Sequence, residues 1–176
     1  WGFQQHGVVP DMVILGKPIA NGHPMGAVVS TSKVADAFAN GMEFFSSFGG
    51  NPVSCAIALA VLEVLEEEEL MRHTKVTGDY FITQLKALQE EFPVIGDVRG
   101  SGLFLGIDLV KDPQSRTEAP ALAAFLKNGL RDQHMLVSTD GPLNNVIKSK
   151  PPLCFSKTNA DQVIDRLAQL LQQNNP

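Results

Sequence analysis

The sequence predicts an α/β segment followed by a smaller α+β unit, and three observations lead there. Met12-Val13-Ile14-Leu15 is a continuous apolar run that ends in Gly16-Lys17, the pattern of a strand covered on both faces. Asn51-Pro52 opens a segment with Val53, Ile57, Ala60, Val61, Val64 and Leu65 at helical spacing, a capped amphipathic helix. From Val94 onward, short apolar runs alternate with amphipathic stretches, which is the signature of strands and helices packed in one unit. The expected division is 1–70 for the first part, 71–93 for a linking helix and 94–176 for the smaller unit.

Bulk properties narrow the function classes. The chain has 176 residues, 44% hydrophobic and 19% charged, with 14 basic and 19 acidic residues for a net charge of -5. That is an ordinary globular composition with no basic surface for nucleic acid or anionic membrane. No apolar run has bilayer-spanning length, and residues 1–6 do not read as a signal peptide. Cys55 and Cys154 lie far apart in apolar segments, so buried free thiols in a cytoplasmic protein are expected rather than a disulfide. The four histidines are scattered, and no metal site is read from them. An opening Trp1, a dozen residues from the first strand, suggests a piece of a longer protein.

In order, the elements are these. A loop or helix end over 2–10 leads into the strand at 11–15. Gly16, Pro18, Asn21-Gly22 and His23-Pro24 keep the following stretch irregular. A second strand covers 26–30, and Thr31 or Ser32 caps a short helix from Lys33 to Asn40, stopped by Gly41. The capped helix after Asn51 ends in Glu66-Glu67-Glu68-Glu69, a solvated face. A long helix is expected from Leu70 to Phe92 with Val76, Phe81, Leu85 and Leu88 inward and Gly78 as a weak point. Then comes a strand entered through a glycine turn that carries Arg99. Thr117-Glu118 caps a helix from Ala119 to Asp132 with Leu122, Phe125, Leu126 and Leu130 inward. Strands at 135–138 and 146–148 flank a turn at 139–142. Ser156 or Thr158 starts a terminal helix with Ala160, Val163, Ile164, Leu167 and Leu171 inward, and 172–176 is expected to fray.

Three side chains carry candidate chemistry. Lys17 stands at a strand end. It is either a snorkelling surface lysine or an amine whose pKa is lowered by apolar surroundings, able to form a Schiff base with an aldehyde. Ser46, Ser47, Gly49 and Gly50 precede a helix N-terminus, either as a plain capped start or as an anion site built from hydroxyls and free N–H groups. Arg99 offers a planar fork that matches a carboxylate, or it bridges backbone segments. Gly100-Ser101-Gly102 is not a dinucleotide motif, because the glycine spacing is wrong and a strand follows instead of a helix.

Residues 10–28, from Pro10-Asp11-Met12-Val13-Ile14-Leu15-Gly16-Lys17 through Asn21-Gly22-His23-Pro24-Met25-Gly26-Ala27-Val28, resemble the cofactor-lysine segment of the class III aminotransferases. These are fold-type I enzymes that use pyridoxal 5'-phosphate. Phe45-Ser46-Ser47-Phe48-Gly49-Gly50-Asn51-Pro52-Val53-Ser54-Cys55-Ala56 and the stretch around Arg99 resemble the same family in the same order. So do Leu136–Pro142, Asn145–Lys148 and Lys150–Phe155, within the branch of alanine–glyoxylate-type transaminases and ethanolamine-phosphate phospho-lyases.

The resemblance implies the C-terminal part of the fold-type I large domain followed by a small α+β domain. It implies that Lys17 carries the cofactor as an internal aldimine. Ser47, where the family has threonine, would reach the cofactor phosphate of the neighbouring subunit in a homodimer. Arg99 would bind a substrate carboxylate. The implied partners are an amino donor and an oxo-acid acceptor. The acid that pairs with the pyridinium nitrogen, the phosphate loop and the stacking aromatic have no counterpart in this chain, so this piece alone is expected to be inactive or nearly so.

Overall fold

A computed structural model describes residues 1–174; Asn175 and Pro176 lie outside the described residues, and with them the end of the expected fraying. The chain separates into two compact units, Trp1–Glu68 and Glu69–Pro176.

The first unit opens with a 3-10 turn at Gly2–His6 and then forms a hairpin of β1 (Met12–Leu15) and β2 (Ala27–Ser30), paired antiparallel from Met12↔Ser30 to Leu15↔Ala27. The expectation of a strand buried on both faces fails here. Met12 is 49% and Ile14 78% exposed, because β1 has only β2 as a neighbour and no layer covers both faces of the pair within this unit. Between the strands, Lys17–Ala20 winds one 3-10 turn, with Pro18 presetting its start.

Helix α1 (Ser32–Phe38) has Thr31 at its N-cap position, without a side-chain capping bond. Helix α2 (Pro52–Glu67) is capped as the sequence predicts: Asn51 Oδ1 accepts from the Ser54 backbone N–H at 2.9 Å. Its sheltered side is not the expected stripe. Ala58 is buried and Ser54, Cys55, Ile57, Val61 and Leu65 are half-buried, while Val53, Ala60 and Val64 face solvent. Cys154 is exposed and Cys55 half-buried, so the expected fully buried thiols are not found.

The second unit is a four-stranded antiparallel sheet of order β3-β4-β6-β5 with three helices on one face. The strands are β3 (Ile95–Ser101), β4 (Phe104–Leu109), β5 (Ser138–Asp140) and β6 (Val146–Ser149). The helices are α3 (Leu70–Glu91), α4 (Pro120–Asp132) and α5 (Lys157–Gln173). Alternate residues of the central strands point at the helices: Val98, Leu105, Ile107, Leu109 and Ile147 join Phe81, Leu85, Leu88, Leu126, Leu130, Leu167 and Leu170 in one core. The helix expected to link two parts is α3, and its inner face belongs to this core.

Several local expectations are corrected. Gly78 is not a weak point but a contact point: a Cβ there would stand 2.1 Å from the Gly102 carbonyl oxygen. Gly102 in turn adopts φ 54° at the corner between β3 and β4, a conformation that favours glycine. Arg99 lies inside β3 rather than in a glycine turn. Thr117 and Glu118 do not cap α4. They are drawn into backbone pairing instead, since the Lys111 N–H donates to the Thr117 carbonyl and Glu118 bridges Val110; Ala119 takes the N-cap position without a side-chain bond. Residues 135–137 are not in a strand, which begins at Ser138 and runs to Asp140. Val76 and Phe125 are partly exposed. Helix α5 starts at Ser156 with a capping box to Asn159.

Candidate active site

Lys17 is the first residue of the 3-10 turn that follows β1, and its side chain is exposed. It makes no ion pair or hydrogen bond within the described residues. The apolar surroundings expected for it are absent, because nothing covers the end of the hairpin within this unit. The amine is free and reachable. Behind it the turn is held closely: the N–H groups of Ile19, Asn21 and His23 donate to the carbonyls of Gly16, Pro18 and Ala20 at 3.0–3.1 Å. Ala20 is 2% exposed, and the turn packs on α2.

A side-chain bond reinforces this packing. His23 Nε2 lies 2.7 Å from Ser54 Oγ, on the first turn of α2. Ser54 Oγ also accepts from Asn51 Nδ2 at 2.9 Å. The lysine turn and the start of α2, far apart in sequence, are thus joined in space. Ser47 lies in the exposed loop just before that helix start, with no side-chain partner among the described residues. Its neighbour Ser46 accepts from the Gly49 N–H at 3.0 Å, which turns the loop toward the capped end.

An unpaired amine and a free hydroxyl are chemically suited to an aldehyde and to a phosphate respectively. Lys17 would take a carbonyl carbon and Ser47 would donate to a phosphate oxygen; the Ser54 and Cys55 N–H groups at the start of α2 are already bonded to Asn51. His23, Ser54 and Asn51 were not singled out as site residues in the sequence. The signal available was Asn21-Gly22-His23-Pro24, whose turn residues were legible but whose distant partner was not.

Arg99 belongs to the second unit and stands on the sheet face turned away from the helices. There it is already engaged: Nη1 is 2.6 Å from Asp97 Oδ2 and 3.3 Å from Asp108 Oδ2. These bonds, that from Asp97 first, push its pKa further upward. Asp108 is itself held by Asn145, buried to 6% exposure, whose Nδ2 donates to Asp108 Oδ1 at 2.6 Å and to the Leu109 carbonyl at 3.2 Å.

The register sets Arg99 opposite Gly106, and Gly106 opposite Lys148. Two cations therefore share one row, with no side chain between them. Among the described residues Lys148 has a single carboxylate partner, Asp140, and sequence reading missed it because strand register is not written in any one segment. The Lys148 side chain, followed by the Gly141 N–H, holds the Asp140 carboxyl below the usual carboxylate range.

A groove of about 770 Å³ in the second unit, lined by Phe92, Val94, Lys111, Glu118, Leu122 and Leu171 among others, contains none of the predicted site residues. No group of His, Cys, Asp or Glu among the described residues could hold a metal ion, and no helix among them is long and apolar enough to cross a membrane.

The sequence profile of the family "Aminotransferase class-III" matches residues 1–171. The chain belongs to the class III aminotransferases. Over 166 residues it is 50% identical to "Alanine--glyoxylate aminotransferase 2-like" of Drosophila melanogaster, a match covering 93% of this chain and 34% of that protein. It is 40% identical over 178 residues to "Ethanolamine-phosphate phospho-lyase homolog 1" of Caenorhabditis elegans, covering 99% and 38%.

Among solved structures, a phospholyase from Arthrobacter in complex with phosphoethanolamine superposes with a TM-score of 0.93 at 41% identity, over 100% of this chain and 42% of that one. An amine transaminase from an uncultivated Pseudomonas species, in its PLP-bound internal aldimine form, gives 0.86 at 32% identity, over 99% and 41%. This class III chain thus has the mixed helix-and-sheet fold of those enzymes and spans about a third to two fifths of their length. Family membership and the PLP-bound neighbour indicate pyridoxal phosphate as the cofactor.

Proposed function

We propose that this chain supplies the lysine-bearing part of a pyridoxal-phosphate enzyme that transfers an amino group between an amino compound and an oxo acid. The observation that supports it most is the unpaired, exposed Lys17 amine, held on a bonded turn beside a capped helix start, in a chain of class III sequence. When bound, pyridoxal phosphate supplies an electron sink for the substrate's α-carbon.

The chain's own residues act around that chemistry. Lys17 Nζ would hold the cofactor at its carbonyl carbon, and as a free amine it would hold and move a proton at the substrate's α-carbon. Ser47 donates to a phosphate oxygen, across the interface of a homodimer as in the resemblance. Arg99 serves as the anchor of an acidic substrate, which requires it to loosen from Asp97 or Asp108. The two free cysteines suit a reducing, cytoplasmic setting.

A second reading is elimination of phosphate from an amino-alcohol phosphate. The pairing of Arg99 and Lys148 across Gly106 favours it, since two cations without an intervening side chain suit a phosphate as well as a carboxylate. A third, that the chain acts as an inactive structural or dimerising piece, is favoured by the exposed apolar side chains of the first unit, among them Val9, Ile14, Phe45 and Phe48.

The experiment uses a protein of family length containing this chain. It is given an amino-alcohol phosphate and, separately, an amino acid with an oxo acid. Oxo-acid-dependent amino transfer is expected. Phosphate release without an oxo acid transfers the assignment to the lyase. Neither activity, with no cofactor absorbance, leaves the structural reading.

A further inference from the structure

The hydrogen-bond directions between Asn51 and Ser54 can be fixed from their neighbours. The Ser54 backbone N–H can only donate, so the Asn51 atom facing it at 2.9 Å is the carbonyl oxygen. The Phe48 carbonyl can only accept, so the Asn51 atom 2.9 Å from it is the amide nitrogen. Asn51 Nδ2 therefore donates to Ser54 Oγ as well. Ser54 Oγ also lies 2.7 Å from His23 Nε2, and its hydroxyl can donate to a bare Nε2 or accept from a protonated one, so the bond forms with either ring tautomer.

We propose that His23, acting through Ser54, is the positioning residue that seats the Lys17 turn on the first turn of α2 and thereby fixes where the Lys17 amine is presented. The need for such a residue is visible in the first unit. Its only buried apolar side chains among the described residues are Ala20 and Ala58, so apolar packing gives the turn little support. The backbone on either side of the turn's end is in the left-handed region at Asn21 (φ 45°) and beyond at Gly22 (φ 108°), and a fixed partner is required to keep such a reversal in one place. The His23–Ser54 bond is the long-range side-chain bond that does so, and it passes the position of the turn directly to the helix start that Asn51 caps. The functional consequence rests on Lys17 being the cofactor lysine; the clasp itself does not.

The test uses a protein of family length containing this chain. Amide exchange is followed at Ile19, Asn21 and His23, whose N–H groups close the turn, with the β1–β2 amides as the control for a folded hairpin. His23→Ala and Ser54→Ala are expected to speed exchange of the turn amides roughly fivefold, the loss of about one hydrogen bond, while the hairpin amides hold. His23→Gln, whose side-chain amide can donate to or accept from Ser54 Oγ, is expected to restore most of the protection.

Unchanged turn exchange in both alanine variants would overturn the clasp. Pyridoxal phosphate followed by borohydride separates the two ideas. If the reduced label does not concentrate on Lys17 even in the unmutated chain, the cofactor-lysine reading fails, and the clasp is still decided by exchange. If it does concentrate there, the share on Lys17 is expected to fall severalfold in both alanine variants and recover in His23→Gln.

Discussion

The two units of this chain solve the burial problem differently. The second, Glu69–Pro176, places eighteen buried apolar residues between a four-stranded sheet and three helices. The first, Trp1–Glu68, buries only Ala20 and Ala58 among its apolar residues and leaves sixteen of the twenty-three exposed large apolar side chains of the described chain. One unit has the means to hold itself together; the other presents chemistry on backbone turns, caps and a few hydrogen bonds. The candidate cofactor lysine lies in the second kind of setting and the charged sheet face in the first.

The largest effect expected from this contrast is at Phe81, fully buried in the second unit. Phe81→Ala should cost about 3–5 kcal/mol, read from chemical denaturation of the second unit. Phe45→Ala, at a side chain 80% exposed in the first unit, should change stability by less than about 0.5 kcal/mol. Equal effects would erase the distinction between the units.

Gly78→Ala should be nearly as damaging. Its new methyl meets the Gly102 backbone, which cannot swing aside as a side chain would, and about 1–3 kcal/mol is expected for such overpacking, measured the same way.

A smaller effect sharpens the account of the first unit. Asn51→Ala removes the N-cap of α2 and should cost that helix about 1 kcal/mol, seen as faster amide exchange through its first turn.

The smallest effects are electrostatic. The Ser115 hydroxyl and N–H hold the Asp112 carboxyl below its ordinary value, and Lys148 does the same for Asp140. Both folded-state pKa values are depressed, so their contribution to stability is present above the ordinary carboxylate pKa and is lost as pH falls through the folded values. Carbon-13 titration should find both groups below about 3.9, and Lys148→Gln should bring Asp140 back toward it while leaving Asp112 unmoved.

Much of this contrast was legible in the sequence, for identifiable reasons. Asn51-Pro52 and Ser156 are local signals, and the helices they start are where capping chemistry puts them. The inward stripe of α3 was read correctly at Phe81, Leu85 and Leu88, because the second unit supplies a core for it to face. The same reasoning failed at Val53, Val64 and Ile14, where apolar residues at the right spacing have nothing within their unit to pack against. Periodicity tells which residues could be buried, not whether a partner is there.

Gly78 was read as a weakness because its contact with Gly102 is long-range. Thr117-Glu118 looked like a cap because its competing strand partner, Val110, is invisible locally. At the candidate site, Lys17, Ser47 and Arg99 were each named, but the bond from His23 to Ser54 and the row joining Arg99 to Lys148 depend on tertiary register.

The account stands most directly on Lys17. A protein of family length containing this chain is incubated with pyridoxal phosphate, reduced with borohydride and digested, and the label is mapped over the nine lysines of the present sequence. The account predicts that the peptide containing Lys17 carries nearly all of it. A label spread over the surface lysines, or centred on Lys148, would contradict it.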